Sequence, residues 1–175
     1  MIRFQNRYRI ESTRLADWDY GSRGWYFATI CTKHRKCSLG YAVDGQIILS
    51  DAGLIAETEM RSIPRHYENV IVDRYVVMPN HVHAIIVIGG VHAYSPVETR
   101  LAASPTHGQL PSIVGGYKAG VSRICHAHGL GFAWQARFHD HILRSNASVD
   151  AVRDYIDHNP QNWLLDPENP SPAAA

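Results

Sequence analysis

The sequence predicts an α+β domain: a ferredoxin-like sandwich, with helices packed on one face of an antiparallel sheet. Three observations predict it. Strand-like and helix-like segments follow in the order β, α, β, β, α, β, α, the split pairing that such sandwiches use. Two strand-like runs in the middle of the chain are separated only by Pro79-Asn80, a link short enough to join antiparallel neighbours. The length of 175 residues, with 45% hydrophobic and 19% charged, is that of one soluble domain with a sizeable core. The domain is expected to span residues 1–165. Residues 166–175, rich in Pro and Ala, read as a disordered tail.

Residues 1–23 read as an irregular arm rich in Arg, Tyr and Asp. Trp25 to Thr32 is β-branched and aromatic, the composition of a strand. Tyr41 to Leu49 carries Asp44-Gly45, a hairpin turn signal between short apolar runs. Asp51 can cap a helix running to about Tyr67, with Leu54, Ile55, Thr58 and Ile63 loosely at helical spacing and Pro64 late in the segment. Val70 to Met78 is a second strand, and His81 to Ile88 a third, closed by Gly89-Gly90. Residues 90–109 read as a long loop. Leu110 to His128 reads as a helix with Ile113, Val114, Tyr117, Val121 and Ile124 on one face. Pro111 suits its first turn and Gly129 its end. Phe132 to Leu143 alternates like a strand. Ser148 to Asn159 is a short helix, with Ser148 as its N-cap and Pro160 as its stop.

Charge and cysteine usage narrow the function. The net charge of +1 carries no bulk basic bias, which argues against a protein that coats duplex DNA by electrostatics alone. Basic residues do group locally: Arg3, Arg7, Arg9 and Arg14; Lys33, Arg35 and Lys36; Lys118 with Arg123. Cys31, Cys37 and Cys125 form no CxxC pair, so neither a disulfide framework nor a zinc-thiolate site is expected. The longest apolar run, Ala84 to Ile88, is far short of a membrane span, and the first residues lack a signal-peptide core. A cytoplasmic location and no membrane partner are expected. The surprise is the histidine content, 11 residues.

The sharpest chemical feature is His81-Val82-His83. Residues i and i+2 of a strand point to the same face, so two imidazoles can chelate one divalent cation while Val82 enters the core. Two ligands leave a cation under-coordinated. Tyr155 and Asn159, at i and i+4, share a face of the last helix. The Asn159 amide oxygen is a hard neutral ligand suited to Mg²⁺ or Mn²⁺, and a phenol one turn away can attack a phosphate held by that metal. Each residue alone has a plainer reading: a strand histidine is usually a satisfied polar group, an amphipathic-helix tyrosine usually packs, and Asn159 before Pro160 ends a helix.

The run Val76-Val77-Met78-Pro79-Asn80-His81-Val82-His83-Ala84-Ile85-Ile86 resembles the HUH segment of the single-tyrosine transposases. The likeness is to the REP-associated tyrosine transposases and related insertion-sequence enzymes. Further matching runs are Trp18-Asp19-Tyr20, Phe27 to Thr32, Tyr117-Lys118-Ala119, Trp134 to Phe138, His141 to Arg144 and Asp154 to Pro160. Together they cover residues 18–163 in the family's order. The resemblance implies the HUH endonuclease fold, with His81 and His83 as metal ligands, Asn159 as third ligand and Tyr155 as nucleophile. It favours Tyr155 over the rival Tyr117, which lacks an i+4 amide ligand.

The implied reaction is transesterification of single-stranded DNA beside a hairpin, through a 5′-phosphotyrosine, with Mg²⁺ or Mn²⁺ as cofactor. Lys118, Arg123, Arg137 and Arg144 are candidate phosphate contacts, and Arg3 to Arg14 a candidate reader of the guide or hairpin. His139 and His141 are candidates for a supporting shell around the metal or for DNA contacts. Trp134 is a candidate base-stacking residue or an edge packer, and Trp163 is expected to pack the end of the last helix. The family includes monomers and homodimers, and the sequence does not choose between them. Two other functions compete: a non-catalytic single-strand or hairpin DNA binder, and a metal-dependent phosphodiesterase that uses water and has no need of Tyr155.

Overall fold

The computed structural model describes residues 3–4, 7–8, 23–89, 109–166 and 168–170. Most of the Arg-rich arm, the Trp18-Asp19-Tyr20 motif, the loop at 90–108 and the last five residues lie outside the described residues. Within the arm, Arg3–Phe4 (β1) pairs antiparallel with Arg7–Tyr8 (β2).

The centre is a four-stranded antiparallel sheet of Gly24–Cys31 (β3), Val70–Val77 (β6), His81–Ile88 (β7) and His139–Leu143 (β8), in the order β6-β7-β3-β8. The adjacent runs flanking Pro79-Asn80 do pair, as their short link requires. Gly40–Val43 (β4) and Gln46–Leu49 (β5) form a separate hairpin. Its turn puts Asp44 at φ 49° and Gly45 at φ 73°, the left-handed pair that an Asp-Gly hairpin turn demands.

Among the described residues, three α-helices complete the fold: Asp51–His66 (α1), Gln109–Ala127 (α2) and Asn146–His158 (α3). Ser50 caps α1 through its side chain, and Pro64 is accommodated in the last turn. Ser145, not Ser148, is the N-cap of α3; Ser148 sits at the third helical position and completes a reciprocal capping box. The strand expected over 132–143 shortens to β8, because residues 132–138 meet the sheet only through a bridge between Thr32 and Trp134.

The α+β class and the antiparallel sheet match the sequence reading, but the helices do not share one face. Tyr26, Ala28, Ile30, Val82, Ala84, Ile86 and Ile88 join one core with residues of α1 and α2. Trp25, Ile85, Val87 and Leu143 join a second core with Val149 and Ile156 of α3. β7 is buried at every position because helices cover it on both sides. A bulge at Asp73 shifts the register of β6 between Val72 and Arg74. The Asp73 carboxylate then accepts two hydrogen bonds from Arg153, at 2.8 and 2.7 Å. The Arg153 guanidinium also lies 5.5 Å from the Trp25 ring centroid, so α3 is pinned to β6 and β3 together.

The expected domain end at residue 165 is too early. Asp166 is buried and Glu168 forms an ion pair with Arg35 at 2.8 Å, so the chain packs on the sheet beyond that point. Among the described residues, no helix is long and apolar enough to cross a membrane.

Candidate metal and nucleophile site

Alternation along β7 sends His81 and His83 to the α3 face, as their spacing predicts, and both are almost fully buried. Each ring is held by its Nδ1. His81 Nδ1 lies 2.8 Å from Asn80 Oδ1, and His83 Nδ1 lies 2.9 Å from Thr29 Oγ1, directly across the sheet. The ring centroids are 4.3 Å apart. Burial, reinforced by the Arg35 charge, pushes the His81 pKa down to about 3. Burial also takes His83 down to about 3, helped by His81 and opposed by Asp166. Both imidazoles are therefore neutral near pH 7, the form that binds a metal.

The outward nitrogens meet two other elements. The capping box and the Arg153 pairing fix α3 so that the Tyr155 hydroxyl lies 3.2 Å from His83 Nε2. Phe27 stacks on His83 at 5.1 Å and meets the Tyr155 ring edge-on at 6.1 Å. Tyr155 is 43% exposed, although its hydroxyl points at the buried His83. The Tyr155 pKa is raised, first by partial burial and then by the Asp166 charge, while a hydrogen bond from Asn159 acts the other way. Past the helix, Pro160 and the turn Trp163–Leu165 bring the buried Asp166 back to the histidines. Its Oδ2 lies 3.8 Å from His81 Nε2.

The donor set fits a divalent cation. His81 Nε2, Asn159 Oδ1 and Asp166 Oδ2 are all buried and lack a hydrogen-bond partner. Buried polar atoms are normally satisfied, so a cluster of orphans needs an explanation such as an ion. Ligand atoms of His81, His83 and Asp166 lie within 4.8 Å of one another. Imidazole nitrogens with carboxylate and amide oxygens suit a cation of the Mg²⁺, Mn²⁺ or neighbouring type.

No family model matches the chain. An uncharacterized protein of Haemophilus influenzae is 35% identical over 162 residues, covering 89% of this chain and 90% of that protein. A solved REP-associated tyrosine transposase bound to a REP hairpin has 20% identity and a TM-score of 0.58. That match covers 85% of this chain and 72% of the other. The chain belongs to the family of the Haemophilus protein and has the tyrosine-transposase fold.

In this tyrosine-transposase fold, the structure unites His81, His83 and Tyr155, with Asn159 next to the phenol. All come from one chain. Tyr117 is elsewhere: it is buried on the α1–α2 face, its hydroxyl bonded to the Ala56 carbonyl at 3.2 Å, and burial raises its pKa steeply. Trp134 packs on Phe132 and Tyr117, an edge-packing role rather than an open base platform. Trp163 packs where expected, its ring 6.1 Å from His81.

Lys118 is half-buried and directs its ammonium at the carbonyls of Gln135, Ala136 and Arg137. Arg123, Arg137 and Arg144 are exposed. His139 pairs with Thr29 and His141 with Phe27, so both exposed histidines sit on the site's face one strand away. Sequence reasoning missed Asp166, read as tail, and Asn80, read as a breaker. A buried aromatic at Trp163 was the available hint that the chain stays packed after Pro160.

Proposed function

We propose that this protein is a DNA transposase or endonuclease that cuts and rejoins single-stranded DNA through a 5′-phosphotyrosine. The observation that carries the proposal is the convergence of orphaned ligand atoms from His81, Asn159 and Asp166 on a half-exposed tyrosine. In this reading His81, His83, Asn159 and Asp166 hold Mg²⁺ or Mn²⁺. When bound, the cation supplies Lewis-acid polarisation of a non-bridging oxygen of the scissile phosphate.

The chain does the rest. The fixed α3 presents the Tyr155 oxygen beside His83, and Phe27 limits the ring's swing. The Tyr155 oxygen bonds to phosphorus as the bond from phosphorus to the 3′ oxygen breaks. The products are a 5′-phosphotyrosine and a free 3′-OH, with a net transfer of one proton from phenol to 3′ oxygen. A phosphodiester is exchanged for a phosphodiester, so a second 3′-OH can reverse the step without ATP. Because tyrosine and histidines meet within one chain, a monomer carries the full set. Arg123, Arg137 and Arg144 are assigned to DNA phosphates, whereas Lys118 is assigned to holding the segment 135–137. The solved relative is bound to a REP hairpin, and a hairpin beside the cleavage site is proposed as the element recognised here.

The test uses Mn²⁺ and labelled single-stranded oligonucleotides from the DNA flanking the gene, with covalent adducts read on a denaturing gel. Wild type and Tyr117→Phe are expected to form an adduct, and Tyr155→Phe none. Cleavage that survives Tyr155→Phe would convict a water-using phosphodiesterase. Binding without cleavage by wild type would leave a DNA-binding remnant.

A further inference from the structure

Asn80 is fully buried between β6 and β7, and its backbone carbonyl and both ends of its carboxamide are hydrogen-bonded. Its carbonyl oxygen accepts from the Thr32 amide at 2.8 Å and the Thr32 hydroxyl at 3.0 Å. Its Nδ2 donates to the Arg35 carbonyl at 3.2 Å and the Glu168 carbonyl at 2.6 Å. Carbonyls only accept, so these two bonds fix which end of the carboxamide is nitrogen. The flipped amide would set an oxygen against two carbonyl oxygens. Oδ1 therefore faces His81 Nδ1 at 2.8 Å, and an amide oxygen only accepts. His81 must carry its proton on Nδ1. Its lone pair is then on Nε2, the atom left without a partner and 3.8 Å from Asp166.

His83 differs. Its Nδ1 meets the Thr29 hydroxyl, and its Nε2 meets the Tyr155 hydroxyl. A hydroxyl can donate or accept, so neither contact dictates the tautomer.

We propose that Asn80 is a positioning residue: its carboxamide locks His81 in the Nδ1–H tautomer, so that the Nε2 lone pair faces the metal position before any ion arrives. The inference rests on the reading of His81 as a ligand. It adds that the two histidines are unequal, one preset by Asn80 and the other free to exchange its proton position with Thr29 and Tyr155. The same amide ties that preset to the turn at Arg35 and to the segment that carries Asp166. Partners that orient a metal-bound imidazole commonly contribute ten- to a hundred-fold in metal affinity.

The first readout is nitrogen-detected histidine NMR of chelator-treated, full-length protein at neutral pH. His81 is expected to show a protonated Nδ1 and an unprotonated Nε2, with no second tautomer. A protonated Nε2 in wild type would overturn the proposal, whatever any variant does. The second readout is Mn²⁺ affinity by calorimetry for Asn80→Asp, which keeps an acceptor for His81, and Asn80→Ala, which does not. Asn80→Ala is expected to mix the tautomers and weaken Mn²⁺ roughly 10- to 100-fold, whereas Asn80→Asp, which sets its second oxygen against the Arg35 and Glu168 carbonyls, is expected to lose stability yet keep the single His81 tautomer. Equal losses in both variants with an unchanged tautomer would show that Asn80 only supports the fold. Neither readout needs DNA. A locked tautomer in a protein that forms no adduct would sink the transposase reading and leave this one standing.

Discussion

The two faces of β7 show opposite solutions to burial. Toward α1 and α2, Val82, Ala84, Ile86 and Ile88 fill a core with no polar side chain from this strand. Toward α3, Ile85 and Val87 pack against Val149 and Ile156, and the strand then turns polar at His83 and His81. The first face only stabilises. The second uses its apolar half to fix α3, and it ends in two imidazoles stripped of water, of which His81 keeps a nitrogen without a partner. Burial that would be wasteful in a core has left a donor set preformed.

The strongest way to break this contrast is to truncate one side chain on each face. Ile86→Ala is expected to cost about 2–5 kcal/mol, from lost transfer energy and the cavity left in a tight core. His81→Ala, on the same strand, is expected to cost well under half as much in chelator, because a ring nitrogen without a hydrogen-bond partner leaves with it. Urea unfolding of both variants measures this. Equal losses would mean that the histidine face is as well satisfied as the other.

A cation should reverse the penalty on the second face. Mn²⁺ at about 100 times its dissociation constant is expected to raise stability by about 2.7 kcal/mol. Chelation should remove the gain, as should His81→Gln. A melting temperature that does not respond to Mn²⁺ in wild type would remove the metal from the proposed site.

Acid should expose the same asymmetry. Both histidines have folded pKa values near 3, well below the unfolded value near 6.5. Between those limits the unfolded chain binds more protons than the folded one. The contribution is therefore complete above about pH 6.5 and is lost as pH falls toward 3, by at most about 1.4 kcal/mol per unit for each histidine. Metal-free protein should show this slope, and His81→Gln with His83→Gln should flatten it. A slope unchanged in the double variant would place the acid sensitivity elsewhere.

The legibility of the molecule follows the range of the forces involved. Strand spacing revealed the shared face of His81 and His83, and helical spacing that of Tyr155 and Asn159, because both are local periodicities. The short link at Pro79-Asn80 revealed the pairing of β6 with β7. The side of the sheet taken by α3 was not legible, since it depends on Arg153 meeting Asp73 at a bulge that no local pattern marks. Nor was Asp166: a carboxylate among prolines looks solvated until the Trp163 turn carries it under the sheet. Asn80 looked like punctuation because its worth lies in partners 45 and 88 residues away.

The smallest predicted effect bears on the role of Asp166. Its carboxylate raises the Tyr155 pKa in the metal-free protein. Asp166→Asn removes that charge and keeps an oxygen able to accept from the Glu168 amide, as Oδ1 does now at 2.7 Å. The Tyr155 phenol should then ionise at a lower pH. Tyrosine-labelled NMR, assigned by Tyr155→Phe, reads the shift in chelator. If Asp166 were only a nearby anion, the variant would ease phenolate formation and leave Mn²⁺ binding untouched. If it is a ligand, the same substitution should weaken Mn²⁺, replacing an anionic oxygen with a neutral one. A phenol that shifts down together with a weaker metal would place Asp166 beside Asn159 as a ligand. A phenol that shifts alone would return the site to His81, His83 and Asn159.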